Sequence, residues 1–113
     1  MRGIIVALAL LVPAEAWACK CRAASQAESD SRADFVFVGR VISVKIDPAR
    51  DAAVMRVRVQ KSLKGGLSGT VAIKSRVQSE ACGIIVPEGA ERRFRANGKP
   101  GALSTNSCAM LEP

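Results

Sequence analysis

The chain has 113 residues, 17 Lys and Arg against 10 Asp and Glu, a net charge of +7 and no histidine, with 49% hydrophobic but only 4% aromatic residues. The length allows one small domain rather than two. The missing histidine removes the usual general base and the commonest metal ligand, so neither an enzyme nor a resident metal centre or cofactor is expected.

Met1–Arg2 is a basic start, residues 3–12 are an apolar run, Pro13 breaks it, and Ala16 and Ala18 fill the positions a signal peptidase reads. Residues 1–18 therefore read as a signal peptide and residues 19–113 as the mature domain, with Cys19 at its new N-terminus. No stretch is long enough to span a bilayer, so an exported, extracellular or periplasmic protein without a transmembrane anchor is expected. A lipoprotein reading, in which Cys19 is acylated, fits less well: bulky Trp17 departs from the small-residue pattern, and acylation strands an odd thiol among Cys21, Cys82 and Cys108. An oxidising compartment favours two disulfides over a four-cysteine zinc site, and four cysteines allow three pairings.

Beyond the cysteines, residues 22–34 are polar and alanine-rich and predict a short helix or helical turn. Residues 35–46 are β-branched and aromatic, too long for a flat strand, with Gly39 where a bent strand needs it. Residues 47–51 form a turn. Residues 54–60 alternate, with Met55, Val57 and Val59 inward and Arg56, Arg58 and Gln60 outward. A glycine-rich connection over 61–69, a third strand over 70–77, a loop around Cys82, a fourth strand over 90–96, a hairpin turn over 97–101 that carries the turn dipeptide Asn97-Gly98, and a short fifth strand over 102–105 follow. Five short strands with one long bent member predict an all-β fold: a small Greek-key barrel of the oligonucleotide/oligosaccharide-binding type, with one or two short helices.

Charge is uneven. Residues 52–79 contain no acid, yet Arg56, Arg58, Lys61, Lys64, Lys74 and Arg76 fall there. Such a face favours an anionic surface or glycan. Nucleic acid is not expected, because single-strand binding by such barrels relies on aromatic platforms and only Phe35, Phe37 and Phe94 remain in the mature chain.

The mature start Cys19-Lys20-Cys21, Ala33-Asp34 leading into the long strand, Gln60-Lys61-Ser62-Leu63-Lys64-Gly65, Ala81-Cys82-Gly83 and the closing Leu103-Ser104-Thr105-Asn106-Ser107-Cys108 together resemble the netrin-like module, specifically the N-terminal domain of the tissue inhibitors of metalloproteinases. The resemblance implies the pairings Cys19–Cys82 and Cys21–Cys108. It also implies that the α-amine and carbonyl of Cys19 chelate the catalytic zinc of a target metalloprotease. Lys20 then enters the protease's first primed-side pocket, and Lys20, Cys21, Gln78, Ser79, Glu80 and Ala81 form the contact ridge. Lys20 departs from the small or hydroxylated residue usual there, and the third disulfide of the animal domain is missing. A monomer is expected. The alternative is a non-inhibitory interaction module that binds a protein or an anionic glycan.

Overall fold

A computed structural model of the chain describes residues 19–112; the expected signal peptide, residues 1–18, lies outside the described residues. After the N-terminal Cys-Lys-Cys segment comes α1 (Gln26–Arg32), then β1 (Phe35–Asp47), β2 (Ala52–Lys64), β3 (Thr70–Ser75), β4 (Glu91–Lys99) and β5 (Ala102–Ser104). Single 3-10 turns lie at Pro48–Arg50 and Ser79–Ala81. The strands close a barrel in the order β1-β2-β3-β5-β4 and back to β1. All neighbours are antiparallel except β3 and β5.

β1 makes closure possible. Its first half pairs with β4 on one edge, from Phe35 opposite Ala96 to Arg40 opposite Glu91, while β2 lines the other edge through to Asp47. Three register shifts bend it, between Val36 and Phe37, Val38 and Gly39, and Val41 and Ser43. A side chain at Gly39 would place its first carbon 2.5 Å from Val57 Cγ1 and 2.9 Å from the Arg58 carbonyl, so the bend requires glycine here.

Inward residues of the strands fill the barrel: Phe37, Val41, Met55, Val57, Ile73, Phe94 and Leu103, with Val86 and Met110 closing it from the loops. Phe37 and Phe94 sit opposite each other and stack with centroids 5.4 Å apart. A capping box starts α1, with the Glu28 amide donating to Ser25 Oγ (3.1 Å) and the Ser25 amide donating to Glu28 Oε1 (3.2 Å). At its other end Lys64 Nζ donates to the carbonyls of Asp30 and Ser31.

The C-terminal ends of three strands differ from the sequence expectation by two residues or more. β2 continues to Lys64, because the backbone of Ser62 and Lys64 pairs with Phe37 and Val36 although residues 60–64 are all exposed; apolar alternation cannot report a stretch held by its ladder alone. β3 stops at Ser75 rather than 77, since the Asp51 carboxylate captures the amides of Val77 and Gln78. The turn expected over 97–101 narrows to Pro100-Gly101, because β4 runs on to Lys99 with Asn97 and Gly98 opposite Ser104 and Leu103. Their turn-forming chemistry is used elsewhere. Asn97 Oδ1 accepts from the Asp34 amide, and the Gly98 amide, at φ 111°, donates to Asp34 Oδ2.

Candidate functional site

Both disulfides join the N-terminal segment to the far end of the chain. Cys19 is bonded to Cys82 with Cα atoms 5.2 Å apart, and Cys21 to Cys108 at 5.1 Å. They close 63 and 87 positions of sequence. Each removes roughly 4 kcal/mol of chain entropy from the unfolded state in the loop-closure treatment, and less in combination because the loops overlap. The two bridges also touch: Cys19 Sγ lies 3.7 Å from Cys108 Sγ and 3.5 Å from Ser107 Oγ. Cys19 is thus held by its own bond and braced by the neighbouring one.

Cys82 meets Cys19 because of how its loop turns. Residues 79–81 make one 3-10 turn, with the Ala81 and Gly83 amides both donating to the Gln78 carbonyl and the Cys82 amide donating to the Ser79 carbonyl. Cys82 then takes the left-handed conformation at φ 65°, a costly choice for a residue with a side chain. The Ser107 amide clamps the Cys82 carbonyl at 2.8 Å. Cys108 is presented by the turn that follows, where Asn106 Oδ1 accepts from the Ala109 amide and Met110 plugs the core.

Of the residues the sequence singled out, Cys19 and Cys21 are half-buried, Lys20 between them is exposed, and Gln78, Ser79 and Glu80 are exposed on the adjoining turn, with Ala81 half-buried. The Cys19–Cys82 bond brings these two segments together. Ser79 Oγ donates to Glu80 Oε1 at 3.0 Å, leaving the turn polar at its tip.

Asp51 is the member of this site that sequence reasoning missed. It lay in what read as an ordinary turn, yet its Oδ1 accepts from the amides of Val77 (2.9 Å) and Gln78 (3.0 Å), and its Oδ2 accepts from Arg76 Nε (2.9 Å). It sits in the left-handed region at φ 48°, where an Asp is tolerated. The Gln78 amide, helped by Val77 and by the Arg76 guanidinium, outweighs desolvation and holds the carboxyl below the usual range. Asp51 therefore anchors the root of the 78–81 turn. Nothing in sequence separates a turn Asp that ends its own hairpin from one that reaches 26 positions on.

The sulfurs of Cys19, Cys82 and Cys108 lie within 4.8 Å of one another. Thiolates so placed would suit a soft metal, but each sulfur is in a disulfide and has no thiolate charge to give. What the cluster offers is the backbone of residue 19 and the exposed side chains on either side of it. Among the described residues no helix is long and apolar enough to cross a membrane. Compared with known protein families and with curated proteins, the chain matches none.

Proposed function

We propose that the protein, cleaved after Ala18 and exported, inhibits zinc metalloproteases through its new N-terminus. The observation that carries this reading is the double bracing of Cys19, bonded to Cys82 and packed against the Cys21–Cys108 bridge. A residue fixed in that way loses little further freedom on binding. Its free amine and its carbonyl oxygen are spaced for a five-membered chelate, and a protease zinc keeps an open position in which such a pair replaces water. Amine nitrogen binds metal only when unprotonated, so inhibition rises as pH approaches the α-amino value of about 8.

Lys20 is the side chain that enters the target's first primed-side pocket, which directs the inhibitor toward proteases with an acidic or open pocket there. Gln78, Ser79, Glu80 and Ala81 widen the contact, with Asp51 holding their turn in place. Two disulfides suit an oxidising compartment outside the cytoplasm.

The test compares secreted protein that begins at Cys19 with a form extended by one residue, after mass measurement of each N-terminus, against a panel of metalloproteases. The Cys19 form inhibits at least one member, and the extension abolishes it because the amine becomes an amide. Equal inertness of both forms, or equal inhibition by both, overturns the proposal.

A further inference from the structure

Away from Cys19, the outer face of β1, β2, β3 and β5 carries cations that the fold does not use. Strand pairing aligns Lys45, Val54, Lys74 and Ser104 in one transverse row, and Ser43, Arg56 and Ala72 in the next. From sheet geometry such rows lie about 7 Å apart, and Lys45 and Lys74, two strands apart, about 10 Å. Lys45, Arg56, Arg58 and Lys74 are exposed, and none of them makes an ion pair among the described residues. Arg58 faces Arg40 across the ladder, and Arg40 is itself paired with Glu91, so Arg58 gains no partner from its neighbour. The acids nearby are committed: Asp47 lies 3.7 Å from Arg50, and Asp51 holds Arg76 and two amides.

Between the cations the surface is hollow. Three cavities of about 350, 400 and 240 Å³ run along this face and all share Lys74. The floor is small, made by Val54, Ala72, Ala102 and Ser104, while Lys45 lines one hollow, Arg76 another and Lys74 all three; Asp47, Asp51 and Arg50 also line the surface. A surface with small floor residues, the cations Lys45, Arg56 and Lys74, unpaired among the described residues, and Arg76, which is shared with Asp51, admits a thin chain that carries a negative charge at intervals.

We propose that this groove binds an acidic polysaccharide, the sugar rings lying over Val54, Ala72 and Ala102 and the carboxylate or sulfate groups meeting Lys45, Arg56, Lys74 and Arg76. The chemistry selects among polyanions. Phe35, Phe37 and Phe94 are all buried in the barrel, so the face has no aromatic platform for unstacked bases. Ile46 is the one large exposed hydrophobic residue lining the groove, too little to insert into a bilayer. This site is separate from the Cys19 cluster and does not depend on the inhibitor reading, because its residues are the same whichever residue begins the chain.

Heparin serves as the probe, titrated into the purified disulfide-bonded protein at about 0.1 M salt and again at higher salt, where screening weakens exposed charge contacts. The groove variant combines Lys45→Ser with Lys74→Ser. A control, Lys61→Ser with Lys99→Ser, removes the same charge from exposed positions outside the groove. Unchanged thermal melting of both variants shows that they fold. The groove variant weakens heparin binding by about tenfold and flattens its salt dependence, as expected when two contacts to a polyanion are lost, while the control changes it less than about twofold. Equal losses in the two variants reduce the effect to net charge and overturn the proposal. So does failure to bind heparin, or tighter binding to phosphatidylglycerol vesicles or to single-stranded DNA.

Discussion

Arg95 is the largest fully buried side chain of the barrel, and Asp30 is what makes its burial tolerable. Asp30 Oδ1 accepts from Arg95 Nε at 2.7 Å, its Oδ2 accepts from Arg93, and Arg95 Nη1 donates to the carbonyls of Ala109 and Leu111. One carboxylate thus joins α1, β4 and the C-terminal segment. Arg95 Nη2 has no partner among the described residues, so the guanidinium has little to fall back on if Asp30 is lost. Removing one member of a buried ion pair costs about 3–5 kcal/mol. The Asp30 side chain is 25% exposed, which screens part of this and puts Asp30→Ala at about 2–3 kcal/mol. A domain of this size has about 5–15 kcal/mol in all, so the loss is a large fraction of it.

Urea unfolding of the oxidised protein reads the loss directly: at roughly 1 kcal/mol per molar urea, the midpoint falls by about 2–3 M. The decisive comparison adds Arg95→Met. With Asp30 and Arg95 both uncharged, the ion left without its partner is Arg93, whose side chain is a quarter exposed. The double variant therefore recovers about 1–2 kcal/mol relative to Asp30→Ala alone, short of full recovery because Arg93 has lost its carboxylate and two C-terminal carbonyls have lost their donor. Acid sharpens the test. Burial pushes the Asp30 carboxyl up, but Arg93 and Arg95 outweigh it and hold the value below the usual range. A folded value lower than the unfolded one, about 3.9, means the contribution is complete above roughly pH 5 and disappears as pH falls through the folded value. Asp30→Ala lacks that part of the acid transition. Additive single and double variants, or a midpoint shift under about 0.5 M, would refute the reasoning.

Two further outcomes are expected. Gly98→Ala puts its new carbon against the Ala102 carbonyl at a φ of 111°, so it lowers stability by about 2–4 kcal/mol in urea unfolding, where an ordinary strand Gly→Ala change is mildly stabilising; a neutral result would show that the β4–β5 hairpin can be rebuilt around Asn97. Asp51→Ala frees the amides of Val77 and Gln78, so their hydrogen exchange accelerates at least about tenfold while core amides of β1 and β2 stay protected. In the unaltered protein the same acceleration sets in only as pH falls through the lowered Asp51 value, after correction for the intrinsic pH dependence of exchange, since the folded carboxyl stays ionised until that value is passed.

The long bent strand and the inward positions of β2 were legible because burial writes itself into sequence as periodicity; the short helix, which buries no residue, was legible from its polar, alanine-rich composition. Met55 and Val57 are fully buried and Arg56 and Arg58 are exposed, as alternation predicts. The features that escaped are those built from polar side chains acting at a distance. Asp51 ends β3 by taking its amides, and Asp34 draws Asn97 and Gly98 into β4 and away from a turn. Arg95 carries the same lesson: nothing in the run Arg92-Arg93-Phe94-Arg95 sets it apart from its two neighbouring arginines, and only Asp30, 65 positions earlier, explains why it lies inside. Hydrogen bonds of this kind have no period and no fixed spacing. The tail of β2 escaped for a related reason, since nothing there is buried on either face.

Among the described residues, Asp51 is the one side chain that bonds to residues of both proposed surfaces. Its Oδ2 holds Arg76, an edge of the cationic groove, while its Oδ1 holds the root of the turn that carries Gln78 to Ala81 beside Cys19. A sulfate that engages Arg76 competes with Oδ2 but leaves Oδ1 and its two amides in place, because a guanidinium has several donors and the amides have one each. Occupation of the groove therefore does not release the turn. Coupling between the surfaces must run through charge rather than through movement: a bound polyanion lowers the local positive potential and thereby raises the proton affinity of a nearby amine. If the Cys19 amine is the chelating group, groove occupancy shifts the inhibition profile toward higher pH without changing its plateau, and the shift fades as added salt screens the field.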